Sequence, residues 1–231
     1  AFAQAAGKLP VVVRDAPGFV VNRVLMPYLV EAGLLFAQGA PMERIDGAML
    51  DFGMPMGPLR LLDEVGADTG LHVARFLASS FPGHMRVPAA LEAMVRDKAL
   101  GRKSGAGFYL HPAGEKGAPR PNPAAAAWIA GSACAALTRD ELARRMVFLM
   151  VNECARCLEE GVAASADDID FALVFGAGFA PFRGGPLKYA ESLGARTVVE
   201  ALEKWAEEDP RFAPCEKLAS MARTGLRFYA E

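Results

Sequence analysis

The residues best placed to do chemistry lie near the start of the chain, in the run Asp15-Ala-Pro-Gly-Phe-Val-Val-Asn-Arg23. Pro17 and Gly18 mark a junction between an extended run and a helix, and a glycine there lets another backbone or a ligand approach closely. Asn22 follows one turn into the helix, and its neutral amide can position a carbonyl or a hydroxyl without changing the charge at a reacting centre. Spacing alone favours a helix cap or a surface residue at Asn22 over a functional one.

Histidines and glycine-rich runs, two other common carriers of enzyme chemistry, show no functional pattern in this sequence. His72, His84 and His111 belong to no recognisable motif, and each is predicted to be a surface histidine. The Gly-Ala-Gly run at 176–178 lacks the strand and helix that flank a dinucleotide-binding loop. The sequence therefore contains no visible site for a dinucleotide.

The composition is that of a globular protein, because 52% of the 231 residues are hydrophobic and 23% are charged. The net charge of −2 comes without a basic stripe, so nucleic acid is not expected as a partner. The longest uncharged run, 121–138, is too weakly apolar for a membrane span. The four cysteines, including the Cys154-x-x-Cys157 pair, match neither a zinc site nor a disulfide framework; they are predicted to be buried thiols, and this favours the cytoplasm.

A series of landmarks occurs twice in the same order along the chain. The pattern Arg-x7-Glu-x7-Gly occupies 23–39 and returns at 145–161. The later landmarks are Ile45-Asp46 and Ile169-Asp170, Gly57-Pro-Leu59 and Gly185-Pro-Leu187, Gly66-Ala-x-Thr69 and Gly194-Ala-x-Thr197, and Lys103-Ser-Gly-x-x-Phe-Tyr109 and Arg223-Thr-Gly-x-x-Phe-Tyr229. This ordered recurrence indicates two diverged copies of one unit.

The composition between the copies predicts a linker at 112–123, which holds four prolines and two glycines. The predicted division is therefore a first copy at 16–111 and a second, degenerate copy at 124–231, after a leading stretch at 1–15. Duplicated surfaces on one chain are expected to pack face to face about a pseudo-twofold axis. Asn22 is expected to lie away from that interface.

The elements that position these residues are mostly helices, so the predicted fold class is all-α. Leu9 to Arg14 forms a β-branched run that predicts one short strand, the end of a sheet otherwise absent from this chain. A helix is predicted after Gly18, and Thr138 with Glu141 predicts a capping box at the start of another. Further helices are predicted at Pro41–Phe52, Pro58–Val65, Asp68–Ser80 and Pro88–Lys98.

The run from Lys8 to Arg23 resembles the junction between the Rossmann domain and the helical domain of 3-hydroxyacyl-CoA dehydrogenases. Gly53-Met-Pro-Met-Gly-Pro-Leu59 through Gly66, and Gly101–Tyr109, resemble that family's other helical-domain signatures, in the family's order. The degenerate second copy resembles the tandem arrangement in multifunctional fatty-acid β-oxidation proteins. The resemblance implies that residues 1–15 end a Rossmann domain whose remainder precedes this chain.

The resemblance also implies a reaction, the oxidation of 3-hydroxyacyl-CoA to 3-oxoacyl-CoA with NAD. The family's histidine base and its glutamate belong to the Rossmann domain, so this chain alone is predicted to be inactive and to bind no NAD. Asn22 takes the place of the family's asparagine that contacts the reacting part of the acyl-CoA. Met54 and Pro55 are weaker candidates near the acyl pocket, and the alternative for Met54 is an ordinary core position.

The implied partners are the acyl-CoA substrate, the Rossmann domain of the same protein, and either a thiolase in a β-oxidation complex or a second copy of the same protein. The second copy has Arg144 where the first has Asn22, so it cannot supply the amide and is expected to pack on the first copy. Two alternatives remain open: the helical domain of another hydroxyacid or sugar dehydrogenase, and a non-catalytic helical interaction module.

Overall fold

The computed structural model describes residues 2–112 and 118–229, and most of these residues lie in α-helices, as predicted. The first half contains α1 (Phe2–Ala5), α2 (Val21–Ala37), α3 (Met42–Phe52), α4 (Pro58–Val65), α5 (Ala67–Ser80) and α6 (Ala89–Arg96). The second half contains α7 (Arg139–Glu159), α8 (Ala166–Ala177), α9 (Pro186–Leu193), α10 (Ala195–Ala206) and α11 (Glu216–Thr224). The predicted helix bounds are correct to within about two residues.

Local sequence signals explain where several of these helices begin and end. Thr138 accepts a hydrogen bond from the Glu141 backbone while the Glu141 side chain accepts one from Thr138, which is the predicted capping box at the start of α7. Gly53 ends α3 in the left-handed conformation, with φ of 110°. Pro58 occupies the first position of α4, where its missing N–H has no cost.

The predicted strand at Leu9–Arg14 is wrong, because residues 8–16 form no regular secondary structure. A strand needs a neighbour to satisfy its backbone groups, and none of the described residues pairs with this run. Val12 is 86% exposed, and the Arg14 N–H donates to the Val162 carbonyl at 2.8 Å.

Part of the predicted linker, 113–117, lies outside the described residues, and the part after it packs on the first half. Strand β1 (Tyr109–Leu110) pairs antiparallel with β2 (Arg120–Pro121). The buried Asn122 follows, and its amide nitrogen donates to the Gly107 carbonyl at 2.7 Å. A 3₁₀ turn at Pro123–Trp128 then sets the Trp128 ring edge-on against Phe108. The division of the chain at 112–123 stays a prediction.

Both halves use one hydrogen-bonding scheme at the repeated landmarks. The Asp46 carboxylate accepts from the backbone N–H groups of Leu59 and Arg60 and from the Tyr109 hydroxyl, at 2.8 to 3.1 Å. The matching atoms of the second half make the same three bonds, from Leu187, Lys188 and Tyr229 to Asp170. Such equivalence between residues more than a hundred positions apart is what duplication predicts.

The same scheme explains why a glycine opens each Gly-Pro-Leu landmark. A Cβ placed on Gly57 would overlap the Asp46 carboxyl group, and a Cβ on Gly185 would overlap that of Asp170. Each aspartate can therefore reach the first turn of the following helix only if the residue before the proline has no side chain.

The end of each copy is held by a second buried or half-buried acid. Asp63 accepts from the N–H groups of Phe108 and Tyr109, as Glu191 does from the corresponding pair in the second half. In the first half His111 adds a contact of 2.8 Å between Nε2 and Asp63. The prediction of a surface histidine at His111 is therefore wrong, because this side chain is only 6% exposed.

The two halves meet chiefly along α2 and α7, and one hydrophobic core runs through both. Two ion pairs, one buried and one partly buried, join the helices reciprocally: Arg23 Nε lies 2.6 Å from Glu153 Oε1, and Arg145 Nε lies 2.8 Å from Glu31 Oε1. These four residues are the Arg and Glu landmarks of the repeat. Each arginine contacts the glutamate of the other copy, as expected for isologous packing about a pseudo-twofold axis.

The burial of Asp46 leads to a prediction about pH. Burial raises the pKa of Asp46 to about 6 from an ordinary value of 3.8, and the hydrogen bonds from Tyr109, Leu59 and Arg60 only partly offset it. Because the folded carboxyl binds its proton more tightly than the unfolded one, this group favours folding more at pH 4 than at pH 7. The free energy of unfolding of the unsubstituted protein, minus that of Asp46→Asn, should be higher at pH 4 than at pH 7 by up to about 2.5 kcal/mol.

Urea denaturation at a series of pH values measures that difference. Asp170→Asn should show the same sign, because burial also raises the pKa of Asp170. If the free energy of unfolding changes with pH in the same way for the unsubstituted protein and both variants, burial does not raise the pKa of these two carboxyl groups.

Candidate functional site

Asn22 lies on the first turn of α2, with its side chain exposed. Val20, not Asn22, is the residue before the helix, so the reading of Asn22 as a helix cap is wrong. Within the described parts of the chain, 2–112 and 118–229, no hydrogen-bond partner is found for its amide. Both the Nδ2 donors and the Oδ1 acceptor are thus free to bind an outside molecule.

The turn before Asn22 has an unusual backbone. Gly18 has φ of 75° and Phe19 has φ of 49°, so two successive residues adopt the left-handed region. A non-glycine residue there costs about 1 kcal/mol, and such residues concentrate at functional sites. A Cβ on Gly18 would lie 2.9 Å from the Arg23 backbone nitrogen, which explains the glycine in the Pro-Gly-Phe run.

Arg23, the neighbour of Asn22, points into the protein and is fully buried. Its guanidinium contacts Glu153 through Nε and binds Glu160 through both terminal nitrogens, at 2.6 and 2.8 Å, while the Phe81 ring covers its face at 4.1 Å. Burial lowers the pKa of Arg23, but the Glu160 hydrogen bonds and the Glu153 charge outweigh burial and raise it above its usual value. Arg23 therefore stays charged, and α2 is fixed at this end.

The Gly-Ala-Gly run at 176–178 forms the end of α8 and packs beside this turn. Gly178 is the left-handed residue that terminates the helix. A Cβ on Gly176 would lie 3.0 Å from the Val21 side chain, and a Cβ on Gly178 would lie 3.0 Å from Pro55. The run thus contacts both the residue before Asn22 and a candidate substrate-binding residue.

The two weaker candidates have different environments. Met54 is 4% exposed and belongs to the hydrophobic core, which favours the alternative of an ordinary core residue. Pro55 is exposed beside the end of α8. Pro55 is therefore exposed beside the end of α8, which also contacts Val21, whereas the Met54 side chain is buried.

Sequence reasoning missed the aromatic residues exposed on the second half near this surface. Phe175 is 64% exposed and Phe182 is 75% exposed, with the Phe182 ring against Gly53. An open groove of about 700 Å³ runs between α8 and the 181–188 segment, lined in part by Phe171, Phe175 and Tyr229. Phe171 and Phe175 are one helical turn apart, a spacing that could have indicated a shared helix face.

The remaining reactive side chains lie in inert environments. Cys154 and Cys157 are buried free thiols on α7, as predicted, and burial raises the pKa of both. His72 is exposed as predicted, but His84 is half-buried, and burial lowers its pKa. Within residues 2–112 and 118–229 there is no cluster of His, Cys, Asp or Glu side chains that could hold a metal ion. None of the helices in those ranges is long and apolar enough to cross a membrane.

Comparison with known proteins gives matches along nearly the whole chain. The family described as 3-hydroxyacyl-CoA dehydrogenase, C-terminal domain, matches twice, at residues 18–111 and 142–227. The alpha subunit of a fatty acid oxidation complex from Shewanella loihica is 42% identical over 231 residues, which are 99% of this chain and 32% of that subunit. This chain thus spans about a third of the length of that relative.

Solved structures show the same architecture. The 3-hydroxybutyryl-CoA dehydrogenase from Escherichia coli K12 superposes with a TM-score of 0.79 at 25% identity, over 96% of this chain and 63% of that one. The dehydrogenase part of multifunctional enzyme 1 from C. elegans superposes with a TM-score of 0.65 over 94% of this chain and 50% of that one. The second match, at 21% identity, shows a shared fold.

Proposed function

This chain belongs to the family of 3-hydroxyacyl-CoA dehydrogenase C-terminal domains, and we propose that it is the substrate-side part of an enzyme that oxidises 3-hydroxyacyl-CoA to 3-oxoacyl-CoA in fatty-acid β-oxidation. Membership of this family removes the alternative of a helical domain from another hydroxyacid or sugar dehydrogenase. The observation that carries the proposal is Asn22, whose exposed amide has no partner in the described residues and follows a strained turn.

The proposed role of Asn22 is to orient the substrate. An amide nitrogen can donate a hydrogen bond to the oxygen on C3 or to the thioester oxygen, and because the amide is neutral it does not oppose the departure of a hydride. Arg23 and the end of α8 hold the helix turn that carries this amide. Fixing a substrate in a reactive orientation speeds the reaction mainly because the substrate loses its orientational entropy when it binds. That entropy then no longer has to be lost on the way to the transition state.

The glycine-rich run at 176–178 does not fit NAD, the cofactor of the proposed reaction. The Gly-Ala-Gly run lies at the carboxyl end of α8, where helix carbonyls and the negative end of the dipole would repel a pyrophosphate. We therefore assign cofactor binding and proton transfer to a Rossmann domain elsewhere in the parent protein. The parent protein is also proposed to be cytoplasmic, and to associate with a thiolase or with a second copy of itself.

The chain alone should neither bind NAD nor oxidise 3-hydroxyacyl-CoA, whereas a longer protein that joins it to its Rossmann domain should do both. Calorimetric titration of NAD into residues 1–231, and NADH formation by the longer protein with 3-hydroxybutyryl-CoA, test the two statements. Micromolar NAD affinity of the short chain would mean that the dinucleotide site has been misplaced. A longer protein that binds NAD and is inactive on acyl-CoA substrates would instead favour a non-catalytic interaction module.

A further inference from the structure

The segment that carries Asn22 is held by the second half of the protein at three separate points. The Arg14 N–H donates to the Val162 carbonyl, and Val21 packs against Gly176. The third point is the buried Arg23 guanidinium, which is bound by Glu153 of α7 and by Glu160, the residue that follows α7. The degenerate copy thus forms the support on which the turn before Asn22 rests.

The duplication provides an internal comparison for this support. At the opposite end of the interface Arg145 contacts Glu31, as Arg23 contacts Glu153. The repeat places Gln38 where the second half has Glu160, since each immediately precedes the third landmark glycine. Gln38 accepts a hydrogen bond from the Cys134 thiol at 2.9 Å.

Glu160 is therefore an additional carboxylate at one end of the interface. It occurs at the end where the residue before the landmark arginine is an asparagine, Asn22. At the other end the residue before Arg145 is Arg144, which pairs with Asp140 on its own helix. Glu160 is 39% exposed and Arg23 is fully buried, so solvent screens the ion pair between them only in part. The two parallel bonds to Glu160 fix the orientation of the planar Arg23 guanidinium.

We propose that Glu160 is a positioning residue for Asn22. By binding both terminal nitrogens of Arg23, Glu160 fixes the first turn of α2, and the Asn22 amide on that turn is held in one orientation toward the substrate. The inference rests on the proposed role of Asn22. A shift of about 1 Å in a positioned group can cost on the order of a hundredfold in rate, so a partial loosening should be measurable.

The test compares Glu160→Gln with Glu31→Gln in the longer, active protein. Glu160→Gln should lower kcat for 3-hydroxyacyl-CoA by roughly tenfold, with a smaller fall in the melting temperature than Glu31→Gln causes. Glu31→Gln alters a fully buried carboxylate at the opposite end of the α2–α7 interface, so it should lower the melting temperature more and leave kcat within about twofold. A purely structural role for both residues predicts the opposite order of activity, because the larger loss of stability would give the larger loss of turnover.

A double substitution separates this inference from the proposed function. If Glu160 acts through Asn22, then Glu160→Gln should lower kcat no further in a protein that already carries Asn22→Ala. Normal kcat in Glu160→Gln together with a slow Asn22→Ala would overturn the inference and leave the proposed function intact. Normal kcat in Asn22→Ala would overturn both the inference and the proposed role of Asn22, and it would leave the proposed reaction intact.

Discussion

Asn22→Ala is expected to lower the turnover of the longer protein by about one to three orders of magnitude, the range for removing one positioned polar group at a reacting centre. Alanine removes the only polar atoms of this side chain, which is exposed, and those atoms form no hydrogen bond with the described residues. The free energy of unfolding should therefore change by less than about 0.5 kcal/mol. Steady-state kinetics with 3-hydroxyacyl-CoA and denaturation of the same preparations measure both effects.

The matched control is Thr197→Ala, which removes another exposed neutral polar side chain, on α10 of the second half. Its kcat should equal that of the unsubstituted protein. If Asn22→Ala instead lowers stability strongly and leaves kcat unchanged, Asn22 is a structural residue and the proposed substrate contact is wrong.

Glu31→Ala is expected to destabilise the protein by about 3 to 5 kcal/mol, the cost of leaving buried charge without its partner. Glu31 is 1% exposed and lies between two guanidinium groups, at 2.8 Å from Arg145 and 2.7 Å from Arg211. Arg211 is itself buried and also pairs with Asp209, so it cannot turn to solvent without further loss. Urea denaturation followed by circular dichroism gives the free energy of unfolding.

Glu92→Ala serves as the comparison for a solvent-exposed ion pair, because Glu92 and its partner Arg75 are 48% and 59% exposed. That change should cost less than about 1 kcal/mol. Equal effects of the two substitutions would show that the ion pairs at the α2–α7 interface contribute no more than surface pairs do.

The repeated landmarks allowed much of the fold to be predicted, because they report contacts that each copy makes within itself. In each copy the tyrosine hydroxyl donates a hydrogen bond to the aspartate, so Asp46 and Tyr109 recur together as Asp170 and Tyr229. Periodicity likewise located the helices, since a buried helix face requires apolar residues at fixed local spacing.

Features that depend on a distant partner could not be read from local patterns. The β-branched run at Leu9–Arg14 has strand propensity, but propensity does not provide a neighbouring strand. His111 lies beside a proline-rich stretch, which is typical of a surface. Its ring is nevertheless buried, because it contacts Asp63, 48 residues earlier in the chain. The contact between Arg23 and Glu160 spans 137 residues and required the packing of both copies to be known.

The candidate site shows the same division. Spacing and the expected packing of the two copies predicted a surface position for Asn22, and Asn22 is exposed. Nothing in the sequence indicated which surface supports the turn before Asn22. The spacing of residues 176–178 excluded a nucleotide loop but could not place these residues against Val21 and Pro55.

The joining of both copies in one chain has a consequence for how the interface can diverge. When two identical chains pair about a twofold axis, every substitution enters at two symmetric places, so a residue that suits one end is imposed on the other. In this protein the two ends are encoded separately, and they differ: Glu160 and Asn22 occupy one end, while Gln38 and Arg144 occupy the other. One end can therefore be selected for its effect on a bound substrate while the other is selected only for holding the helices together.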